Sequence, residues 1–436
     1  MQVISDLRAL WPLTGFRRLF AVRLVSQSSD GMFQVGLATL FFFSPENAST
    51  ATGVAAAFAV LLLPFTIVGP WAGVLLDRWR RRQVLLYGNL VRVALTATIA
   101  VVMLTQGVGP LVYVLALVTL SVNRFLLAAL SASLPKVVDG PLLLTANSLT
   151  PTLGAASAGV GALVGFVLGV LLPDGRLRDA VSLLVAAAVM ACASALATRL
   201  GPDQLGPDER ADTSEMKAAL ASLAHGLVAG ARYLVARRTP GYALGVMALH
   251  RFCYGAVFIA SILISRNLLS DPADAGAGLR TFGTVLAASA VGFALAVVLT
   301  PLLVPRVGAH VWIVACMLLA VVSQLVLVVT VARAAVLATA VALGLAAQGA
   351  KIAVDTIVQR DTADAYRGRA FSLYDVLYNA AFVGAAALAA VALPDTGWSR
   401  GVFAVIAGVY LVGALVFAAG PREPVDVPAA PATVRT

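Results

Sequence analysis

The chain alternates long apolar runs with short polar breaks. Apolar runs recur at about 19–43, 52–76, 83–105, 110–132, 144–172, 179–199, 241–264, 281–303, 309–331, 334–356, 369–393 and 399–420. A helix needs roughly 20 apolar residues to cross the hydrocarbon of a bilayer. Inside lipid, backbone N–H and C=O groups must be satisfied within a helix or a closed barrel. A barrel would show short segments that alternate apolar and polar, whereas these runs are rich in Ala, Val and Leu throughout. The pattern predicts an all-α membrane protein with twelve transmembrane helices.

The breaks divide the chain. Between the sixth and seventh runs, "GPDQLGPDERADTSEMK" carries two Gly-Pro pairs and several acids and reads as a linker. In the stretch that follows, Leu220, Leu223, Leu227, Tyr233 and Leu234 recur near helical spacing, with Arg232, Arg237 and Arg238 toward its end. This predicts an interfacial amphipathic helix leading into the seventh run. The Pro-rich end, "PREPVDVPAAPATVRT", reads as disordered. The expected organisation is a six-helix bundle over 1–200, a cytoplasmic linker with the amphipathic helix over 201–239, a second six-helix bundle over 240–420 and a disordered cytoplasmic tail over 421–436. The halves also match weakly: Gly73 with Pro301, Arg78 with Arg306, and 131–151 with 355–375. A duplicated six-span unit, hence two pseudo-symmetric bundles, follows from these matches together.

Composition fits. Of 436 residues, 60% are hydrophobic and 12% charged, against about half and a quarter in soluble domains. The net charge of +10 resides largely in the breaks. With both termini in the cytoplasm, Lys and Arg favour the inner segments by about three to one, as the positive-inside rule requires. That topological reading displaces nucleic-acid binding. Arg8, Arg17 and Arg18 precede the first run and no small-residue cleavage site follows it, so the run is expected to remain as an anchor. Cys192, Cys253 and Cys316 are scattered through apolar runs and suggest neither a metal site nor a disulfide framework.

Charge concentrates most in "GVLLDRWRRR" at 73–82, between the second and third runs. Twelve spans, a central linker and this loop resemble the major facilitator superfamily, whose corresponding loop reads G-x-x-x-D-R-x-G-R-R/K. Gly73, Asp77, Arg78, Arg81 and Arg82 match it, while Arg80 replaces the second glycine. "RLVSQSSDGMFQVGLA", "SLPKVV", "LLLTANSL", "HRFCYG" and "VQRDTADAYRGRAFSLYD" resemble the macrolide-efflux and enterobactin-exporter-like branch. The resemblance implies the major facilitator fold and a cytoplasmic gate. Asp77 sits at the last turn of its span, an unfavourable helix end for an anion. The resemblance suggests as its partner the start of the eleventh span, near Arg367 to Phe371; such a contact latches the halves on the cytoplasmic side. The alternative is pairing of Asp77 with Arg78 or Arg81 in solvent.

Ionisable groups inside spans cost about 2.5–3.5 kcal/mol each and need a reason. Arg23, Arg92, Arg124, Arg251, Lys351, Asp30, Asp355 and Asp375 fall in the runs. Arg23 and Asp355 lie near run ends and are expected to snorkel, and Arg92 carries the same expectation. Asp30, beside Ser26 to Ser29, reads as a protonatable carboxylate lining a central cavity, or as a structural partner of a buried arginine. Arg124, next to Asn123, is a second proton-coupling candidate, because the family often carries an arginine in this span. It could hold Asp30 or a substrate anion, or simply anchor one helix to another. Gln34, Asn123, Arg251, Tyr254, Gln348, Lys351, Asp375 and Asn379 are candidates to line a substrate cavity. His250 adds a titratable ring to the "HRFCYG" turn, though a lone histidine is more often structural. Gln348, Lys351 and Asp355 share one helical face, and Lys351 with Asp355 pairs at i, i+4; that stripe reads first as a packing device. Gly161, Gly165 and Gly169 recur every four residues and predict close helix packing. The family's antiporter branches carry G-x-x-x-G-P-x-x-G-G in this span; here Pro151 precedes the glycines, so the copy is degenerate.

The expected function is secondary active transport, a proton-coupled efflux of a lipophilic drug or metabolite by alternating access. It needs no cofactor beyond the proton gradient. Its partners are a small-molecule substrate, protons and the bilayer, without nucleic acid, in a monomer of a bacterial-type plasma membrane. No G-x-x-x-x-G-K-[ST] loop points to ATP. The alternatives are a siderophore, lipid or other metabolite carrier, importers included, and outside transport a membrane sensor or enzyme.

Overall fold

The computed structural model describes residues 10–43, 53, 57, 76, 79–138, 140–173, 175–206 and 216–425. Every helix of more than one turn among them is α-helical, and no strand occurs among them. In chain order these are α1 (Thr14–Phe43), α2 (Arg81–Gln106), α3 (Pro110–Ala132), α4 (Gly140–Leu171), α5 (Arg176–Ala197), α6 (Met216–Arg237), α7 (Thr239–Asn267), α8 (Ala275–Val307), α9 (Ala309–Val329), α10 (Arg333–Asp361), α11 (Asp364–Ala392) and α12 (Arg400–Ala418). Ten of them, α2 to α5 and α7 to α12, are long and apolar enough to cross a membrane. Ser26 to Asp30 and Gln34 dilute the apolar content of α1. Of the second apolar run only Gly53, Ala57 and Leu76 are described, and residues 426–436 of the expected disordered tail lie outside the described residues.

Several helices outrun their apolar stretches. The tenth run predicted 334–356, yet α10 continues to Asp361, and α8 spans 275–307 rather than 281–303. Polar residues at a helix end can face the interface without breaking the backbone ladder, so hydropathy marks the lipid-crossing part and undercounts the helix. Local chemistry sets other ends. Asp274 accepts from the Ala277 amide at the start of α8 at 2.7 Å, and Ser399 caps α12 from Val402. Pro110 opens α3 at a position whose N–H would have no helical partner.

The chain divides into two compact units, 1–48 with 60–220, and 49–59 with 221–436. In the first, α1 packs on α4 and α5, and α2 packs on α5 and α3. In the second, α7 packs on α11 and α10, α8 on α10, and α9 on α10 and α12. The first and fifth spans of each half therefore pair, as do the third and sixth. This is the pseudo-symmetry that the weak internal matches predict. Each helix buries one stripe and exposes another. In α12, Phe403, Ile406, Tyr410, Ala414 and Phe417 are buried, while Val405, Val412, Leu415 and Val416 are exposed. Apolar exposure on this scale marks a lipid-facing surface.

The glycine stripe of α4 has a visible cause. A methyl on Gly161 would sit 1.9 Å from the Ser28 carbonyl oxygen, and one on Gly31 would sit 1.9 Å from that of Ala158. The backbones of α1 and α4 approach too closely for any side chain there. Ser157 Oγ donates to the Leu24 carbonyl at 2.7 Å and adds a polar tie across the same contact.

α6 begins at the end of the first unit, and its later turns pack on the second. Tyr233 stacks on Tyr366 with centroids 4.1 Å apart, and the Arg237 Nε donates to the Asp361 carbonyl at 2.7 Å. The next residue, Arg238, holds a left-handed φ of 67°. That corner is fixed from both sides, since Thr239 Oγ1 donates to the buried Asp361 carboxylate at 2.7 Å.

Candidate functional site

Chemistry gathers at two places in the first unit. The deeper one lies where α1, α2 and α3 meet. Buried positions of α2 recur at Val84, Asn89, Arg92, Thr96, Ile99 and Met103, so the helical repeat that packs the bundle also carries Arg92 inward. Asp30 ion-pairs with Arg92, and both are almost fully buried. The other Arg92 amino group donates to Asn89 Oδ1 at 3.2 Å and to Ser26 Oγ at 3.4 Å. Asn89 in turn donates to the Leu85 carbonyl at 2.8 Å, and the Asn123 amide bonds the Asp30 carboxylate. A carboxylate, a guanidinium and three polar side chains thus bond one another in a dry core, as a buried ion pair requires, while Arg92 Nε and Asn123 Oδ1 have no hydrogen-bond partner among the described residues.

This arrangement corrects three expectations. The cation that holds Asp30 is Arg92, not Arg124; Arg124 is part-buried on α3. Arg92 does not snorkel, because eleven residues of α2 precede it and its face turns into the bundle. Arg23 does not snorkel either: α1 starts at Thr14, and the Arg23 side chain is buried, its Nε donating to Gln27 Oε1 at 3.3 Å. Gln34 is exposed on α1.

The second place is the basic loop. Gly73, Asp77 and Arg78 lie outside the described residues, so the latch does too. The remaining arginines turn toward helix ends. Arg81 donates to the carbonyls of Ala132, at the end of α3, and Leu205, at 2.9 and 3.2 Å. Arg82 donates to Thr198 at 3.2 Å, Arg18 to Arg199 at 2.8 Å, and Arg80 ion-pairs with Asp203 at 3.1 Å. The last carbonyls of a helix lack helical partners and form the negative end of its dipole. The arginines therefore cap α3 and α5 and tie the segment that follows α5 to the start of α2. A groove of about 590 Å³ between α2 and α3 is lined by Trp79, Tyr87, Gly88 and Phe125 among others, and Arg92 is not in its lining.

The second unit presents a different chemistry. Arg251 is midway along α7. Its guanidinium lies 4.2 Å from the Tyr378 ring centroid, 4.3 Å from Phe382 and 5.6 Å from Tyr254. Its buried Nε has no hydrogen-bond partner among the described residues, and no carboxylate among them forms an ion pair with it. Tyr378 stands 5.8 Å from Tyr374, over which the Lys351 ammonium sits at 5.6 Å. Lys351 pairs with Asp355 at 2.7 Å, as the i, i+4 spacing predicts. Phe258 continues the rings on the other side, 6.0 Å from Phe382 and 6.2 Å from Tyr254. Asp375 is exposed, and Asn379 donates to its backbone carbonyl at 2.8 Å. Gln348 is part-buried on the Lys351 face. His250 faces elsewhere: it is buried against Tyr410 of α12, with ring centroids 5.3 Å apart.

Sequence reading misses Asn89, Tyr374, Tyr378 and Phe382. The last three stand at i, i+4 and i+8 on α11, a spacing visible in the sequence.

No family model matches the chain. An uncharacterized MFS-type transporter of Mycobacterium tuberculosis is 34% identical over 415 residues, covering 94% of this chain and 92% of the relative. A relative of the same description from Mycobacterium bovis matches to the same extent. Among solved structures, the peptide transporter POT in complex with sulfate aligns with a TM-score of 0.66 at 14% identity, covering 92% of this chain and 93% of the other. The nucleoside transporter NupG aligns with a TM-score of 0.61 at 14% identity, covering 92% and 97%.

Proposed function

The chain belongs to the major facilitator superfamily of secondary transporters, and from that premise we propose that it exports a lipophilic small molecule in exchange for protons. It works as a monomer, by alternating access, in a bacterial-type plasma membrane. The carrying observation is the buried Asp30–Arg92 pair. A solitary charge in this core costs about 3–5 kcal/mol more than the pair. Protonating Asp30 therefore destabilises the arrangement around Arg92 until water or another anion reaches the guanidinium. That requirement links proton binding to a shift of α1 against α2. A proton taken up on one side and released on the other then biases which side is open. Asn123, bonded to Asp30, passes the change to α3. The aromatic lining around Arg251 suits the apolar body of a substrate.

The test is flux in proteoliposomes under an imposed pH gradient. Wild-type protein is expected to drive a lipophilic dye against the proton flow. Asp30→Asn, which keeps the hydrogen-bonding shape and removes the titrating group, is expected to lose at least about 90% of the gradient-dependent component. Flux that ignores the gradient in wild type, or that keeps its gradient dependence in Asp30→Asn, removes the proton-coupling claim.

A further inference from the structure

We propose that the Arg251 cluster is the recognition point for an acid group, and that the transported compounds are amphipathic anions carrying a carboxylate or phosphate on an aromatic or otherwise apolar body. This rests on the transport reading above and narrows its substrate class.

Two features of Arg251 carry it. The first is how its charge is held. In the first unit, Arg92 is neutralised by a carboxylate and its amino groups are bonded by Asn89 and Ser26 as well. Arg251 has ring faces instead, at 4.2 and 4.3 Å. Stacking attracts the positive charge and fixes the guanidinium plane; Tyr378 also hydrogen-bonds the guanidinium, and no carboxylate pairs with it among the described residues. A planar fork of N–H donors matches a carboxylate or a phosphate in geometry and charge. The second feature is the buried Nε, which, like that of Arg92, has no hydrogen-bond partner among the described residues. A buried donor left unmade is costly, and an incoming oxyanion satisfies it.

The surroundings supply the rest of the ligand's chemistry. Tyr374, Tyr378 and Phe382 form a row along α11, and Phe258 and Tyr254 extend it on α7. Such a row accepts a flat or apolar body beside the anchored acid. At its far end Lys351 is already engaged by Asp355, which leaves Arg251 as the cation of the row without a carboxylate. A cationic ligand would meet Arg251 at close range and be repelled.

The experiment is direct binding to the purified full-length protein in detergent, without any gradient. Three probes share one body: 2-naphthoate, 2-naphthamide and 2-naphthylmethylammonium. Wild type is expected to bind naphthoate at least about tenfold more tightly than either of the others, the worth of one charge-assisted contact. Arg251→Gln should remove that preference. Arg251→Lys keeps the charge without the fork and should retain only part of it. Tyr378→Leu should weaken all three probes together. Thermal unfolding of each variant separates lost binding from lost fold, and the wild-type ranking needs no variant. Equal affinity for the three probes, binding of none of them, or an unchanged preference in Arg251→Gln overturns the proposal. Anion preference without gradient-driven flux leaves it standing and removes proton coupling; gradient-driven flux of a dye without anion preference does the reverse.

Discussion

Arg92 and Arg251 each sit mid-helix in a membrane span, Arg92 in the first unit and Arg251 in the second. One is locked by a carboxylate and two polar side chains in a core from which solvent is excluded. The other is part-exposed and leans on aromatic rings. The bilayer penalises both charges, yet the first is compensated within the protein and the second is left open to a partner. The lesson is that a membrane-embedded cation is classified by the charge set against it rather than by its depth. A cation paired with a carboxylate belongs to a mechanism internal to the fold, and one held only by rings and a hydroxyl is open to an anionic ligand.

Four single variants and one double press on the contrast between the units. Arg92→Leu leaves the Asp30 carboxylate buried and alone, and is expected to lower stability by about 3–5 kcal/mol in thermal unfolding of the detergent-purified protein. Adding Asp30→Leu should recover most of that loss, because the pair is then removed whole. A single variant as mild as its double would mean that the pair is not buried. Next, Gly161→Ala drives a methyl into the Ser28 carbonyl, 1.9 Å away, and should cost about 1–3 kcal/mol by forcing α1 and α4 apart. The matching contact of α7 with α11 is looser, with 3.0 Å between a methyl on Gly255 and the Ala385 Cβ, so Gly255→Ala should cost clearly less. Equal losses would erase this difference in tightness between the units. The smallest effect is expected from Arg251→Gln, about 0.5–1 kcal/mol of stability, since ring contacts and a hydrogen bond to Tyr378 are lost but no buried charge is left alone. A loss as large as that of Arg92→Leu would make Arg251 a structural residue and undo the comparison.

The helices were legible because lipid imposes one rule on every residue of a span, and hydropathy sums over the whole run. Close packing of α4 was legible from Gly161 and Gly165, though not its partner α1, because a four-residue repeat of small side chains lets another backbone approach. The pairing of Asp30 was not. Its partner lies 62 residues away, and two other arginines, Arg23 and Arg124, were as plausible by charge alone. Only the rotation of α2, set by its packing on α5 through contacts such as Ser194 Oγ to the Leu86 carbonyl, selects Arg92. The cage of Arg251 was half legible. Arg251 and Tyr254 stood out as polar marks in an apolar run, whereas Tyr378 and Phe382 blended into theirs, because an aromatic residue in a span has many ordinary reasons to be there.

The arginines at the start of α2 carry a consequence for how the protein is made. Arg81 bonds carbonyls 51 and 124 residues further along the chain, and Arg82 bonds one 116 residues ahead. A growing polypeptide presents these guanidinium groups long before their acceptors exist. They first serve as loose charges in a hairpin, and later, once Thr198 to Leu205 has emerged from the ribosome, as the stitch that closes the bundle. The sixth span thus completes the first unit in time as well as in space, and a nascent chain halted before it would leave that end of the unit unfastened.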